Sequence, residues 1–248
     1  MKKIILIPTR INSKRLPAKA LLEIEKIPII IHTYKRASLS KLADDVFVCT
    51  DSLEIIKTCK KFSTKYIKTS SKHNNGTERI AEAAKKLKLK KNDLIIDVQG
   101  DEPLINPKDI DKTIFFFMKN KFDIVVPNIK LKLKNNPNIV KLIINHKKRI
   151  LWMSRNDIPY GFNEQVKYFN KHLSIIVFNS KSLIEYSKLK KSKFEKIESI
   201  ELLRALENAM LMGSNNINSS SFSVDVIEDY HKAKKYFKSD KIKNKYLM

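Results

Sequence analysis

Short apolar runs alternate with stretches of helical spacing along the first half of the chain. The runs are continuous, as expected for strands that are buried on both faces of a parallel sheet. The predicted strands are residues 4–7, 46–49, 66–68, 94–98 and 124–127. The predicted helices are residues 29–39, 53–62, 77–89 and 110–119. This alternation predicts an α/β fold with a mostly parallel sheet, helices on both faces and right-handed crossovers.

The alternation breaks between residues 128 and 169, where the chain is polar and rich in turn-forming residues. Within this segment, residues 139–144 and 149–152 are predicted to form two strands joined by a polar hairpin turn. We interpret residues 128–169 as a small inserted β-rich arm that forms a dimer. The arm would belong to a single domain that spans residues 1–248.

The apolar pattern resumes after the arm. Residues 173–178 and 222–226 are predicted strands, and residues 227–237 are predicted to form a closing helix. Residues 198–212 have amphipathic helical spacing, and Gly213 is expected to end that helix because glycine is the usual residue just past a helix C-terminus.

The length of 248 residues is enough for one domain with a full apolar core. No apolar stretch approaches the roughly 18 residues that span a bilayer, and Arg10 interrupts the N-terminal run too early for a signal peptide. Cys49 and Cys59 have neither a disulfide framework nor metal-ligand spacing, and we interpret Cys49 as a small buried residue. These features predict a cytoplasmic protein without membrane insertion.

The formal net charge of +24 raises the question of nucleic-acid binding. Lysines are spread along the whole chain, and no aromatic and basic motif of a known RNA-binding module is present. We expect no specific nucleic-acid partner, and a basic nucleic-acid-binding protein on the same fold is the alternative from another class. Five of the seven arginines lie in the motif segments described below, which favours bidentate recognition of anions over chance clustering. They are Arg10, Arg15, Arg79, Arg155 and Arg204.

Charged residues directly follow two of the predicted strands. Arg10, Arg15 and Lys19 follow the first strand, and Asp101 and Glu102 follow a later one. Ligands of open parallel sheets bind beyond the carboxyl ends of the strands, and we therefore expect these groups to share one crevice. Cations suit a polyphosphate, and a carboxylate suits the Mg²⁺ that accompanies it. The sequence therefore predicts nucleotidyl transfer.

Asp225 is a second candidate Mg²⁺ ligand, because it too lies at the end of a predicted strand. The alternative is that Asp225 caps the closing helix. Residues 73–79 lead into another predicted helix and could grip a base or ribose, with Gly76 allowing close approach and Thr77 near the N-cap. Taken alone, residues 73–79 are better explained as an ordinary helix N-cap.

The glycine content excludes two common phosphate-binding loops. The chain has four glycines, and they form neither a Walker A loop nor a dinucleotide-binding fingerprint. Arg10, Arg15 and Lys19 would then hold the phosphates themselves. A solvated basic loop is the alternative, and Leu16-Pro17, which stiffens the loop between two cations, argues against it.

A set of motifs runs in order through nearly the whole chain. It comprises Pro8-x-Arg10 with Ser13, Arg15-Leu16-Pro17 and Lys19, then Thr50-Asp51, Gly76-Thr77-Glu78-Arg79, Val98-Gln99-Gly100-Asp101-Glu102-Pro103, Asn136-Pro137-Asn138, Ser154-Arg155, Ile158-Pro159, His172-Leu173, Glu198, Glu201, Leu203-Arg204 and Val224-Asp225. As a set, these motifs resemble those of the 3-deoxy-manno-octulosonate cytidylyltransferase (CMP-Kdo synthetase) family.

The resemblance implies a Rossmann-like nucleotide-diphospho-sugar transferase fold and a homodimer. It implies CTP, a 3-deoxy-ulosonic acid and the cofactor Mg²⁺ as ligands, with activation of 3-deoxy-manno-octulosonate (Kdo) to CMP-Kdo and release of pyrophosphate for lipopolysaccharide or capsule biosynthesis. The implied catalytic residues are Lys19, Asp101, Asp225 and Arg10, and the implied metal ligands are Asp101 and Asp225. The implied nucleotide contacts are Pro8, Arg10, Ser13, Arg15, Lys19, Thr77 and Gln99. The implied sugar contacts are Gln99, Arg155, His172 and Glu201.

Two hydrogen-bonding side chains of the family pattern are absent, and both positions fall in the implied sugar pocket. Ile176 stands where the family has a tyrosine, and Leu202 stands where it has a glutamine. Both changes remove a side chain able to hydrogen-bond a sugar hydroxyl. The alternative function is therefore activation of a different ulosonic acid, with an amino, deoxy or nine-carbon skeleton.

Overall fold

The computed structural model describes residues 1–13, 15–132 and 135–247. Its strands are β1 (Lys3–Pro8), β2 (Glu23–Ile24), β3 (Ile27–Pro28), β4 (Asp45–Thr50), β5 (Tyr66–Lys68), β6 (Leu94–Val98), β7 (Ile124–Leu131), β8 (Lys141–Ile144), β9 (Ile150–Ser154), β10 (Phe169–His172), β11 (Ile175–Asn179) and β12 (Met212–Asn216). Its helices are α1 (Ile29–Ala37), α2 (Leu53–Lys61), α3 (Gly76–Lys86), α4 (Pro107–Lys119), α5 (Ser180–Lys188), α6 (Lys193–Glu198), α7 (Leu203–Glu207) and α8 (Ile227–Lys238).

Ten of the described strands form one sheet in the order β5-β4-β1-β6-β11-β7-β10-β8-β9, with β12 also paired to β7. Strands β5, β4, β1 and β6 are parallel neighbours, and β7, β12 and β8 run in the same direction. Strands β11, β10 and β9 run the opposite way. The predicted α/β fold with a mostly parallel sheet is confirmed.

The side chains of β1 alternate between two apolar layers, one on each face of the sheet. Ile5 and Ile7 belong to the layer that contains residues of α1, α2 and α4. Ile4 and Leu6 belong to the layer that contains residues of α3, α5 and α7. Burial on both faces explains why this strand is a continuous apolar run. The strand therefore ends where the apolar run ends, and the polar loop begins there.

The predicted hairpin is present as β8 and β9, which pair antiparallel from Lys141 opposite Ser154. Strand β10 pairs with β7 on one side and β8 on the other, and the hairpin therefore extends the main sheet. The function of residues 128–169 as a dimer arm, and the single-domain organisation, stay predictions.

The helix predicted over residues 198–212 is wrong. Helix α6 ends at Glu198, where Ser199 adopts a left-handed conformation with φ of 53°, and α7 covers only Leu203–Glu207. Gly213 lies inside β12 rather than after a helix. A Cβ atom at Gly213 would lie 2.3 Å from the ring of Phe122, and close packing is therefore the physical reason for this glycine.

The strand predicted over residues 222–226 is also wrong, because the structure assigns this segment no strand. The segment is attached beside the sheet by a hydrogen bond from the Val224 amide to the Asp101 carbonyl, at 2.9 Å. Asp225 does not cap the closing helix, since Val226 occupies that position. Thr77 lies in the first turn of α3, whose N-cap is Asn75. No helix among the described residues has the length and apolarity required to cross a membrane.

Candidate active site

A cleft of about 550 Å³ opens beyond the carboxyl ends of β1 and β6. It collects residues from the loop after β1, the start of α3, the loop after β6 and the segment before α8, which are far apart in sequence. This is the position where open α/β sheets bind ligands. The predicted site residues that line it are Pro8, Arg10, Ser13, Arg15, Lys19, Gln99, Asp101 and Asp225.

The ammonium group of Lys19 joins the two candidate metal ligands. Its Nζ donates a hydrogen bond to Asp101 Oδ2 and another, at 3.1 Å, to Asp225 Oδ1. Arg15 contacts the same Asp225 oxygen at 2.7 Å. Burial acts to lower the pKa of Lys19, but the two carboxylates outweigh it and raise this pKa above its usual value. Lys19 therefore stays charged while it lies against both carboxylates.

The convergence of Asp101 and Asp225 on one cation shows that their oxygens fit a positively charged centre. Mg²⁺ in nucleotide sites is held by one or two carboxylates, with phosphate oxygens and water completing its octahedron. Among the described residues, no group of three or more His, Cys, Asp or Glu side chains forms a complete metal cage. The donor set therefore fits a metal that arrives with a polyphosphate.

The start of α3 forms one wall of the cleft. Asn75 caps the helix by accepting a hydrogen bond from the Glu78 amide at 2.8 Å. A Cβ atom at Gly76 would lie 3.1 Å from the ring of Pro8, and the glycine therefore allows the two segments to approach closely. Arg79 pairs with Asp51 at 2.8 Å, which places its charge in a structural contact.

A second cavity of about 250 Å³ adjoins the cleft and shares Gly76 and Gln99 with it. Thr77, His172 and Glu201 line this cavity. Gln99 lines it too, and three of the four predicted sugar contacts, Gln99, His172 and Glu201, are therefore brought together. Thr77, predicted as a nucleotide contact, therefore faces the second cavity. Ile176 and Leu202, which replace hydrogen-bonding residues of the family pattern, are part of the same wall and are largely buried.

The ionisable groups of this cavity are shifted towards their neutral forms. Burial, with Lys171 nearby, lowers the pKa of His172 to about 4. The buried Nε2 atom of His172 has no hydrogen-bond partner in the part of the chain that the structure describes. Burial also raises the pKa of Glu201, against a hydrogen bond from Thr77 that favours its charged form.

Arg155 is not brought to either opening. Its guanidinium donates to three backbone carbonyls, those of Glu198 at 2.6 Å, Pro137 at 2.8 Å and Ser199 at 3.0 Å. In this structure it ties the end of α6 to the loop before β8. Its predicted contact with the sugar carboxylate stays a prediction.

Asp97 lines the second cavity, and the motifs predicted no role for it. It lies in the middle of β6, is only 1% exposed, and accepts hydrogen bonds from Gln99 Nε2 at 2.9 and 3.1 Å. Burial raises its pKa well above the usual value, and Glu201 and Asp101 add to the shift. The available signal was a carboxylate in an otherwise apolar buried strand, since charged groups are rarely buried without a reason.

Arg204 lies in one of the motifs, but the sequence predicts no specific role for it. It is 2% exposed and holds Glu195 through two hydrogen bonds, at 2.8 and 2.6 Å. A buried arginine needs such a partner, because an unpaired charge in the interior is costly. The pair therefore holds α6 against α7, and the segment between these helices, residues 199–202, lines one side of the second cavity.

The family model described as cytidylyltransferase matches residues 4–215, most of the chain. The chain belongs to the cytidylyltransferase family. It is accordingly a nucleotidyltransferase, as the sequence predicted. The matched region includes the basic loop after β1, the start of α3 and the carboxylates that follow β6.

Relatives within this family are similar over nearly their whole length. A 3-deoxy-manno-octulosonate cytidylyltransferase of Thermodesulfovibrio yellowstonii is 40% identical, covering 95% of this chain and 98% of that protein. An 8-amino-3,8-dideoxy-manno-octulosonate cytidylyltransferase of Shewanella sp. strain W3-18-1 is 37% identical, covering 94% of this chain and 97% of that protein. The resemblance drawn from the motifs is therefore confirmed.

A solved structure supports the same relationship in three dimensions. A CMP:2-keto-3-deoxy-manno-octonic acid synthetase in complex with CTP superposes with a TM-score of 0.89 at 29% identity. The match covers 96% of this cytidylyltransferase and 98% of that chain.

Proposed function

We propose that this cytidylyltransferase transfers CMP from CTP to the anomeric hydroxyl of a 3-deoxy-octulosonic acid and releases pyrophosphate. The observation that carries the proposal is the pair of adjoining cavities. The cleft gathers Arg10, Arg15 and Lys19 with two carboxylates, and the second cavity meets it at Gly76 and Gln99. Family membership and the activities for which the relatives are named support the same reaction.

In the proposed reaction, the sugar hydroxyl attacks the α-phosphorus of CTP in line with the bond to the leaving pyrophosphate. The hydroxyl releases its proton to solvent, its oxygen forms the new bond to the α-phosphorus, and the α–β phosphoanhydride bond breaks as pyrophosphate leaves. Arg10, Arg15 and Lys19 would bind the triphosphate and stabilise the charge that develops on pyrophosphate. Positioning and electrostatic stabilisation are the main contributions that a protein can make to this chemistry.

Asp101 and Asp225 are the residues that would hold Mg²⁺. Bound there with the triphosphate, the ion would neutralise phosphate charge and favour nucleophilic attack. Lys19 would then turn from the carboxylates to the phosphate oxygens, whose negative charge favours the protonated form of its amine.

The identity of the acceptor is the finer part of the proposal. Kdo is the first candidate, because the 40% identical relative is named for this substrate. The second candidate is an amino-deoxy derivative of it, favoured by the 37% identical Shewanella relative and by the departures at Ile176 and Leu202. Assembly as a homodimer, a cytoplasmic location and a product used for lipopolysaccharide or capsule are the accompanying predictions.

The test is pyrophosphate release by the purified protein with CTP, Mg²⁺ and a panel of ulosonic acids. We expect release that depends on both CTP and the sugar acid, with little turnover when UTP, ATP or GTP replaces CTP. Folded protein that releases no pyrophosphate with any acid of the panel would refute the proposed function. A sugar-1-phosphate in place of the acid serves as the negative control.

A further inference from the structure

The second cavity has an acidic wall, to whose lining the described residues add no cation. Its ionisable residues among those the structure describes are Asp97, His172 and Glu201, and neither lysine nor arginine contributes to the lining. His172 is uncharged at neutral pH, because burial lowers its pKa to about 4. Any charge that this wall presents to a ligand is therefore negative.

Asp97 is the most deeply buried of these groups. It is 1% exposed, and the hydrogen bonds it accepts come from the neutral amide of Gln99. Buried carboxylates are normally paired with a cation, because an unpaired charge in the interior is costly. The Nε2 atom of His172, in the same wall, is likewise buried and lacks a hydrogen-bond partner among the described residues. This wall therefore has polar groups whose partners the described chain does not supply.

We propose that this cavity recognises an ammonium group on the sugar acid, with Asp97 and Glu201 as its counter-charges. The acceptor would then be an amino-deoxy ulosonic acid in preference to its neutral hydroxy counterpart. The inference rests on the proposed function and names the substrate class of the same site.

An ammonium group suits this wall better than a hydroxyl group does. It carries three donors and a positive charge, and hydrogen bonds to ionised partners are roughly twice as strong as neutral ones. Its charge also favours the ionised form of both carboxylates, which offsets the burial that disfavours that form. Ile176 and Leu202 make the surrounding wall apolar, and an apolar environment strengthens a charge pair.

The carboxylate of the sugar acid is repelled by the same wall and must point out of the cavity. An adjacent opening of about 370 Å³ shares Ser199 and Glu201 with it and is also lined by Lys191, Lys196 and Glu195. Glu195 is paired with Arg204 at 2.6 Å, and Lys191 and Lys196 are the cations that this opening offers to the sugar carboxylate.

The experiment compares kcat/KM for Kdo and for 8-amino-3,8-dideoxy-manno-octulosonate, measured by pyrophosphate release with CTP and Mg²⁺ near neutral pH. We expect the wild-type protein to favour the amino sugar by about tenfold or more. The Asp97→Asn variant should lower that ratio by about tenfold, because the charge is removed at nearly constant shape. Since Asp97 also orients Gln99, both sugars lose activity in the variant, and the ratio separates charge recognition from that shared loss.

Asp109→Asn is the matched control, because Asp109 is also 1% exposed but lies in α4, away from the cavity lining. The control should keep the wild-type ratio. Glu201→Gln provides the same ratio test if Asp97→Asn does not fold, as judged by CTP-dependent thermal stabilisation.

The possible outcomes separate the two proposals. Turnover of Kdo without any preference for the amino sugar overturns this inference and leaves the proposed function standing. A wild-type preference that survives both Asp97→Asn and Glu201→Gln also overturns it. No pyrophosphate from either sugar refutes the proposed function and the inference together.

Discussion

Lys19 links parts of the chain that lie far apart in sequence. It contacts Asp101 after β6 and Asp225 before α8, and Arg15 adds a second cation to the latter. The carboxylates are thereby held close together before any ligand is bound. A cleft that is organised in advance loses less conformational entropy when the nucleotide binds.

The Asp101→Asn variant should fold and lose nearly all cytidylyl transfer. One anionic metal ligand is removed, and losing a group aimed at the charge of the transition state costs about 3–4 kcal/mol. We expect kcat, measured by pyrophosphate release at saturating CTP, to fall at least a hundredfold. Asp45→Asn is the control, because Asp45 pairs with the exposed Lys65 at 2.7 Å outside the cleft and should leave kcat unchanged. Activity of Asp101→Asn within a few-fold of wild type would exclude a role as metal ligand.

The site residues that could be predicted from sequence are those at strand ends. Pro8, Lys19 and Asp101 follow buried apolar runs, and in a parallel sheet those runs end at one edge. The role of Asp97 could not be predicted from sequence. Its position inside a strand does not show which cavity it lines until β11 and the segment before α7 are in place. Arg155 can be recognised from its motif. Its hydrogen-bond partners, however, are backbone carbonyls of distant segments, which no local sequence pattern predicts.

Gly213 of strand β12 shows that the local sequence pattern around one residue can fit two different structures. Gly213 follows an amphipathic stretch, which is the pattern of a helix end, yet it lies in a strand parallel to β7. The deciding contact is with Phe122, which is separated from it in sequence by α5, α6 and α7. By contrast, β5 and β6 have the bounds that were predicted, because their signal is local.

Gly213→Ala should destabilise the protein. The added methyl group would lie 2.3 Å from Phe122 Cδ2, well inside van der Waals contact, and overpacking of this kind costs about 1–3 kcal/mol. The free energy of unfolding in urea measures the effect. Phe122→Leu combined with Gly213→Ala should recover part of the loss, since the smaller side chain leaves room. Strictly additive effects of the two substitutions would show that the contact is not the cause.

Helix α8 and the segment that follows it pack against α1. Arg36 pairs with Asp240, and a hydrogen bond of 2.9 Å joins His32 Nδ1 to the hydroxyl of Tyr246. Phe237 of α8 is fully buried in a third apolar cluster. These contacts fix α8, and the segment before α8 delivers Asp225 to the cleft.

The net charge of +24 should give weak nucleic-acid binding without sequence preference. Scattered lysines act through counterion release, and the affinity of such binding falls steeply as salt increases. Fluorescence anisotropy with an unrelated DNA duplex should show binding at low salt and its loss near physiological ionic strength. CTP binding under the same conditions should persist. Tight, salt-resistant and sequence-selective binding would instead support the nucleic-acid-binding alternative.

Gln99 borders both cavities, and this shared position limits how the enzyme can diverge. A substitution there would disturb the nucleotide and the acceptor at once, and selection would have to accept both changes together. Ile176 and Leu202 border only the second cavity and are free of that constraint. Substitutions that change acceptor preference alone are therefore expected at such one-sided positions rather than at Gln99.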